Sequence, residues 1–176
     1  MISQSDFDDL EQYDYSGGEY LEHVVKKYSP LIGEFLVNFS ILEQELNVAI
    51  ADFISDRAHE PGYVIIEKLT TNNKIDLFYK LYVRLELFKD KKHKTLLDKV
   101  RKQLELLNLF RNSIVHANWQ SLTKNGFVRT KIVVDNQDGN VRFKKVEITP
   151  KIIRRKIEEI DNLIEQIGEY VETAFQ

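Results

Sequence analysis

Apolar residues recur at steps of three and four through Leu31, Phe35, Val37, Phe39, Leu42, Leu46, Ile50 and Phe53. That spacing predicts a long helix from about 31 to 55, with Pro30 near its start, where a missing N–H is tolerated. A shorter helix is expected to precede it from Glu19. After a break at His59-Glu60-Pro61-Gly62, Val64, Ile65, Ile66 and Leu69 suggest a short helix. Thr70-Thr71-Asn72-Asn73 is junction chemistry leading into a helix over Lys74–Phe88, and another long helix follows from about Lys92 to Asn118. The period then changes. Gly126–Val134 and Val141–Ile148 are rich in Val, Ile, Phe and Thr, and Asn136-Gln137-Asp138-Gly139-Asn140 between them is turn chemistry, which together predict a β-hairpin. Thr149-Pro150 opens a last helix to about Phe175, with Ile152, Ile153, Ile157, Ile160, Leu163, Ile164 and Ile167 on its buried side.

The expected fold class is therefore mainly α: a helical bundle with a β-hairpin, at about 126–148, inserted before the last helix. The chain of 176 residues has seven Gly and three Pro and no Pro/Gly/Ser-rich hinge, so residues 19–176 are read as a single domain. With 43% hydrophobic and 30% charged residues the composition is globular. No cysteine is present, which excludes disulfides, thiolate zinc sites and a cysteine nucleophile. No stretch approaches about 18 uninterrupted apolar residues, and the N-terminus lacks the basic and apolar regions of a signal peptide. No membrane span is expected, and the cytoplasm is the expected compartment.

Charge is uneven along the chain. Residues 1–22 carry −7 against a chain total of −3, which leaves the remainder at +4. Residues 1–18 are read as an acidic segment, flexible or loosely docked, able to fold back over a basic groove. The positive charge of the body clusters in Lys89–Lys94, in Lys99/Arg101/Lys102, in Arg142/Lys144/Lys145 and in Lys151/Arg154/Arg155/Lys156. Each cluster is either an ordinary solvated face or a track for a phosphate backbone.

The helix over 92–118 carries the most information. Leu97, Val100, Leu104, Leu107 and Val115 share one face, while Leu106, Leu109, Phe110 and Ile114 cover much of the rest. Such a helix is expected to be buried in a core or against another subunit. Yet Arg111 projects between Leu107 and Val115, and Glu105, Asn108, Asn112 and His116 form a polar stripe beside it. Polar groups of this kind are rarely buried unless paired, because desolvation costs several kcal/mol. The stripe is either a satisfied network that sets helix register or a site with chemistry.

Leu109-Phe110-Arg111-Asn112-Ser113-Ile114-Val115-His116 resembles the Arg-x4–6-His signature of the HEPN superfamily, in which Asn often follows the Arg. The motif lies near the end of a late, long helix. Upstream, Leu42-Glu43-Gln44-Glu45-Leu46-Asn47 is similar to the acidic early helix of many members. The resemblance covers roughly residues 20–175 and implies a HEPN-like antiparallel helical bundle, to which the hairpin is an elaboration. It further implies a metal-independent endoribonuclease that acts as a homodimer without a cofactor, with the motifs of two subunits meeting at one cleft. The biological role it implies is a toxin or antiphage effector acting on RNA, with an antitoxin or regulatory protein as a possible partner. Some family toxins carry a Tyr two residues after the His; Asn118 stands there in this chain.

The residue types suit the chemistry implied. An imidazole titrates at about pH 6.5, so His116 is the candidate to take the proton from a ribose 2′-hydroxyl or to protonate the leaving 5′-oxygen. Arg111 offers a planar, permanently charged fork to a pentavalent phosphate. Asn112, one turn before His116, is placed to orient the ring or hold a phosphate oxygen. The expected products are 2′,3′-cyclic phosphate and 5′-hydroxyl ends. Arg111 and His116 lie about 140° apart around an ideal helix, so within one subunit they diverge and a two-fold interface is needed to unite them.

Asn108, Glu105 and Ser113 are supporting candidates. Trp119 is read as a base-stacking platform or as a plug at the helix-to-hairpin junction. Glu43 and Glu45 are read as partners of Arg111 or His116, or as solvated helix positions. His23, His59 and His93 show no metal-ligand spacing, and no Gly-rich phosphate loop or nucleophile elbow occurs. The rival readings are a non-catalytic HEPN-like dimerisation module that binds RNA, nucleotide or protein, and a purely structural helical adaptor, which leaves Arg111 unexplained.

Overall fold

The computed structural model describes residues 4–7, 18–55, 59–86, 91–134 and 141–175. In chain order these form β1 (Gln4–Phe7), α1 (Gly18–Ile54), α2 (Glu60–Ile66), α3 (Thr71–Glu86), α4 (Lys91–Val115), a 3-10 turn at Trp119–Ser121, β2 (Phe127–Val134), β3 (Val141–Glu147) and α5 (Pro150–Phe175). The chain is mainly helical, with an antiparallel hairpin before the last helix. The turn expected at Asn136–Asn140 lies outside the described residues.

Several boundaries differ from the periodicity. The two helices expected on either side of Pro30 are one helix, α1, with Pro30 inside it. Proline removes the N–H that would bond the Lys26 carbonyl and crowds that carbonyl, at a cost of about 3 kcal/mol in a helix interior. Val24 and Tyr28 before it and Phe35 after it are all buried. At about 1.5–3 kcal/mol for each large apolar side chain, their burial outweighs the proline. The expected break at His59–Gly62 is instead the start of α2, with His59 at the cap and Pro61 in the first turn, where its lost donor would be unpaired in any case. The α3 helix begins at Thr71, earlier than expected, because the Thr70 hydroxyl accepts the Asn73 N–H at 3.3 Å as an N-cap. The α4 helix ends at Val115, three residues short of Asn118.

The chain was expected to be one domain; it divides into two compact units, Met1–Phe35 with Phe110–Lys156 and Leu36–Leu109 with Ile157–Gln176. In the first unit the strands form an antiparallel sheet of order β1-β3-β2, with Val128 facing Val146 and both side chains buried. Phe35 meets Phe110 edge to face at 5.2 Å. Thr149 caps α5, its hydroxyl accepting the Ile152 N–H at 3.3 Å. Gly126 stands just before β2 at φ 83°, a left-handed conformation, and a Cβ there would lie 2.6 Å from Thr149 Cγ2.

Of the N-terminal acidic segment, the described residues Gln4–Phe7 form a strand. Gln4–Phe7 pairs with the outer edge of β3, from Gln4 opposite Val146 to Phe7 opposite Phe143. An edge strand presents unpaired N–H and C=O groups, and an extended segment of the same chain satisfies them.

In the second unit the core centres on Tyr82, whose ring lies 4.7 Å from Phe78 and 5.5 Å from Phe53 and from Tyr170. Its hydroxyl donates to the Ala49 carbonyl at 3.1 Å, and burial holds the phenol well above its ordinary pKa. Gly62 permits α2 to approach α1, since a Cβ there would lie 2.5 Å from Ala51 Cα. No helix among the described residues is long and apolar enough to cross a membrane.

Candidate functional site

The end of α4 sets the site. A helix leaves its last carbonyls without intrahelical partners, and the chain after Val115 supplies some of them. The His116 N–H donates to the Asn112 carbonyl at 3.0 Å, and the Ile114 carbonyl accepts from the Ala117 N–H at 3.4 Å and from Trp119 Nε1 at 3.2 Å. The Trp119 ring also packs against Tyr28, with centroids 5.6 Å apart. Of its two readings, the plug matches this placement: the indole donor is committed to the helix end.

His116 therefore sits one residue past the helix, on an exposed position. The next residues are tied to the hairpin. The Asn118 N–H donates to the Arg129 carbonyl at 2.8 Å, and the Arg129 N–H donates to Ser121 Oγ at 2.8 Å. These two bonds hold the segment carrying His116 against β2. Between them and β3 opens a recess of about 190 Å3, walled by His116 and Asn118 on one side and by Arg129, Lys131, Ile132 and Phe143 on the other, with Thr130 between. The Arg129 guanidinium lies 5.1 Å from the centroid of the Phe143 ring, within cation–π range. Across the ladder Arg129 faces Lys145 and Lys131 faces Lys144. Like charges directly opposite one another on β2 and β3 oppose the pairing of these two strands.

Arg111 is half-buried, and its Nη1 donates to Asn112 Oδ1 at 3.1 Å. Asn112, read as orienting the His116 ring or holding a phosphate oxygen, has its Oδ1 engaged by Arg111. Neither Arg111 nor Asn112 is among the residues that wall the recess. Ser113 is half-buried on the same helix.

The remaining candidates have other partners, in the second unit. Asn108, only 3% exposed, donates from Nδ2 to Asn72 Oδ1 at 2.6 Å. Glu105 is exposed and accepts from Arg101 Nε at 2.9 Å. Glu43 accepts from the Thr71 hydroxyl at 3.0 Å and from Lys74 Nζ at 3.2 Å. This corrects the reading of Glu43 as a partner of Arg111 or His116; Glu45 is a solvated position. The polar stripe is thus a mixture, with Asn108 and Glu105 satisfied within the fold and His116 open.

The C-terminal half of α4 was expected to be buried in a core or against another subunit, and within the single chain part of it is exposed. Leu106 is 47% exposed, Leu109 61% and Val115 45%.

Arg129, Lys131 and Phe143 were not among the residues singled out from the sequence. A signal was present: Val128-Arg129-Thr130-Lys131-Ile132 places two cations within three residues of one strand. Comparison of the chain with known protein families, with characterised proteins and with solved structures finds no match.

Proposed function

We propose that the protein is a metal-independent endoribonuclease of HEPN type that works as a homodimer, in the role of a toxin or antiphage effector. The observation that supports this best is the placement of His116, exposed at the end of α4 on the wall of a recess that also presents Arg129 and Lys131. A base beside cations is what 2′-hydroxyl attack on an RNA phosphate requires. His116 takes the 2′-proton, the 2′-oxygen bonds to phosphorus, and the P–O5′ bond breaks. Protonated imidazole returns the proton to the leaving 5′-oxygen, giving 2′,3′-cyclic phosphate and 5′-hydroxyl ends. The partner subunit's motif supplies the permanently charged guanidinium, since Arg111 lies off the recess of its own chain.

The exposed Leu106, Leu109 and Val115 support an α4-centred two-fold interface, because apolar side chains that a monomer leaves in water are what a dimer covers. The second reading, a non-catalytic HEPN-like module that binds RNA, nucleotide or protein, is favoured by one observation: Arg111 is already engaged by Asn112.

The deciding experiment is cleavage of mixed cellular RNA by wild type and His116→Ala, with EDTA present and fragment ends identified. Cutting by wild type alone, leaving cyclic phosphate ends, is the expected result. Equal cutting by both would remove His116 from the mechanism, and no cutting by either would favour the binding module. Light scattering tests the dimer, and a strict monomer at working concentration counts against a composite site.

A further inference from the structure

The recess beside His116 has a construction that a hairpin does not need for folding. Along a regular strand, side chains alternate between faces, so four consecutive residues cannot all face one cavity. Here Arg129, Thr130, Lys131 and Ile132 all line the recess. The reason is in the register: Arg129 pairs with Lys145 and Lys131 with Lys144, so two steps along β2 answer one step along β3. That irregularity inserts an extra residue at Thr130 and breaks the strict alternation of β2 beside the recess. Thr130 itself is occupied, its hydroxyl donating to the Lys144 carbonyl at 3.4 Å.

Three groups remain to meet a ligand. The Arg129 guanidinium is braced by the Phe143 ring beneath it, and its backbone is held by the bonds to Asn118 and Ser121. Among the described residues, no carboxylate pairs with Arg129 or Lys131. Ile132 supplies an apolar edge and is 64% exposed. A flat cationic plane on an aromatic ring, a second cation two positions along the strand and an apolar margin together fit one nucleotide: a base on the plane and its phosphate on the ammonium. Size narrows the choice. About 190 Å3 falls below the roughly 300–1,000 Å3 of pockets that enclose a whole cofactor or drug-sized molecule, so a single ring is the natural occupant.

We infer that this recess is the subsite for the nucleotide flanking the scissile phosphate, with Arg129, braced by Phe143, as the stacking platform and Lys131 as the phosphate contact. The inference takes its ligand class, single-stranded RNA, from the ribonuclease reading. Stacking on a guanidinium plane is tolerant of base identity. The subsite therefore holds the strand in place beside His116 and does not select sequence.

The test separates binding from cleavage with a fluorescein-labelled hexauridylate whose 2′-positions are all O-methylated, which cannot undergo 2′-attack. Anisotropy is measured across a salt series with wild-type protein and three variants. Arg129→Lys keeps the charge and loses the plane, so Kd is expected to rise roughly 5- to 150-fold, the loss of one stacked base, with the salt slope unchanged. Lys131→Ala is expected to weaken binding and to reduce the slope of log Kd against log salt by about 0.7, one phosphate contact on a single strand. Phe143→Leu, which keeps apolar volume and the fold, is expected to weaken binding as Arg129→Lys does. Wild-type affinity in Arg129→Lys, an unchanged slope in Lys131→Ala, or failure of wild type to bind would each overturn the subsite. Unmodified hexauridylate distinguishes the two ideas. Binding with these signatures but no cutting leaves the subsite standing without the nuclease, whereas cutting with binding indifferent to Arg129 does the reverse.

Discussion

Asn108 offers a direct way to tell a residue that builds the fold from one that serves chemistry, because the sequence placed it in the same polar stripe as Asn112 and His116. In the structure it is 3% exposed and donates to Asn72 Oδ1 at 2.6 Å. Asn108→Ala removes that bond, worth about 1 kcal/mol net, together with the packing of a buried side chain. Asn72 is an exposed residue, so its freed oxygen is rehydrated and adds little further penalty. Alanine returns about 0.5–0.7 kcal/mol of helix propensity relative to asparagine in α4. The net loss is about 1–2 kcal/mol, which for a chain of this size lowers Tm by roughly 2–8 °C. Asn108→Asp should cost more than Asn108→Ala, since it sets a buried carboxylate against an amide oxygen. Urea and thermal unfolding followed by circular dichroism measure both. RNA cleavage, assayed well below the lowered Tm, should stay within a few-fold of wild type in Asn108→Ala. Unchanged stability, with cleavage reduced a hundred-fold or more, would refute the structural assignment and return Asn108 to the catalytic stripe.

Gly62→Ala and Gly33→Ala should move stability in opposite directions. The first drives a Cβ to 2.5 Å from the Ala51 backbone and is expected to cost about 1–3 kcal/mol in a urea titration, whereas the second meets nothing within 4 Å on exposed α1 and should gain about 0.5–1 kcal/mol. Asp98 is held below its ordinary pKa of 3.8, first by the hydrogen bond from Lys94 and then by that from the Tyr79 hydroxyl. Its contribution is therefore present above the ordinary carboxylate range and lost as pH falls through the lowered value. With the side chain 47% exposed, the gap in unfolding free energy between wild type and Asp98→Asn should stay within about 1 kcal/mol at pH 7 and close on acidification below pH 4. A gap that widens in acid would reverse the sign. Removing residues 1–17 takes away β1 and acidic residues whose backbone register sets Asp6 opposite Lys144. Binding of the O-methylated hexauridylate should tighten at low salt, with the gain shrinking as salt rises; equal affinity at all salt concentrations would argue against any screening by this segment.

The last helix was legible almost to the residue. Its apolar period is regular, and Thr149-Pro150 is a start signal that works through local bonds alone. The hairpin was legible for the same reason, its change of period from about 3.6 to 2 being a property of neighbouring residues. Pro30 and Pro61 were read as a boundary and a break because local rules say so, yet both lie inside helices. At Pro30 buried neighbours outweigh the lost bond, and Pro61 stands in a first turn where no bond is lost. The sequence marked His116 as a residue to watch, and it is open to solvent beside two cations. It did not reveal that Glu43 is engaged by Thr71 and Lys74, or that Asn108 is engaged by Asn72.

What this chain's sequence determined by itself was which stretches are helix or strand and which faces are apolar, because both follow from the spacing of residues within a few positions of one another. Tertiary structure alone decided which polar residues were satisfied and which were left to act, because each partner comes from a distant part of the chain. It also decided the recess: a one-residue slip between β2 and β3, invisible in either strand alone, falls where Arg129, Lys131 and His116 line one cavity. Periodicity fixes the face a side chain takes, but only the pairing of two strands fixes what it meets there.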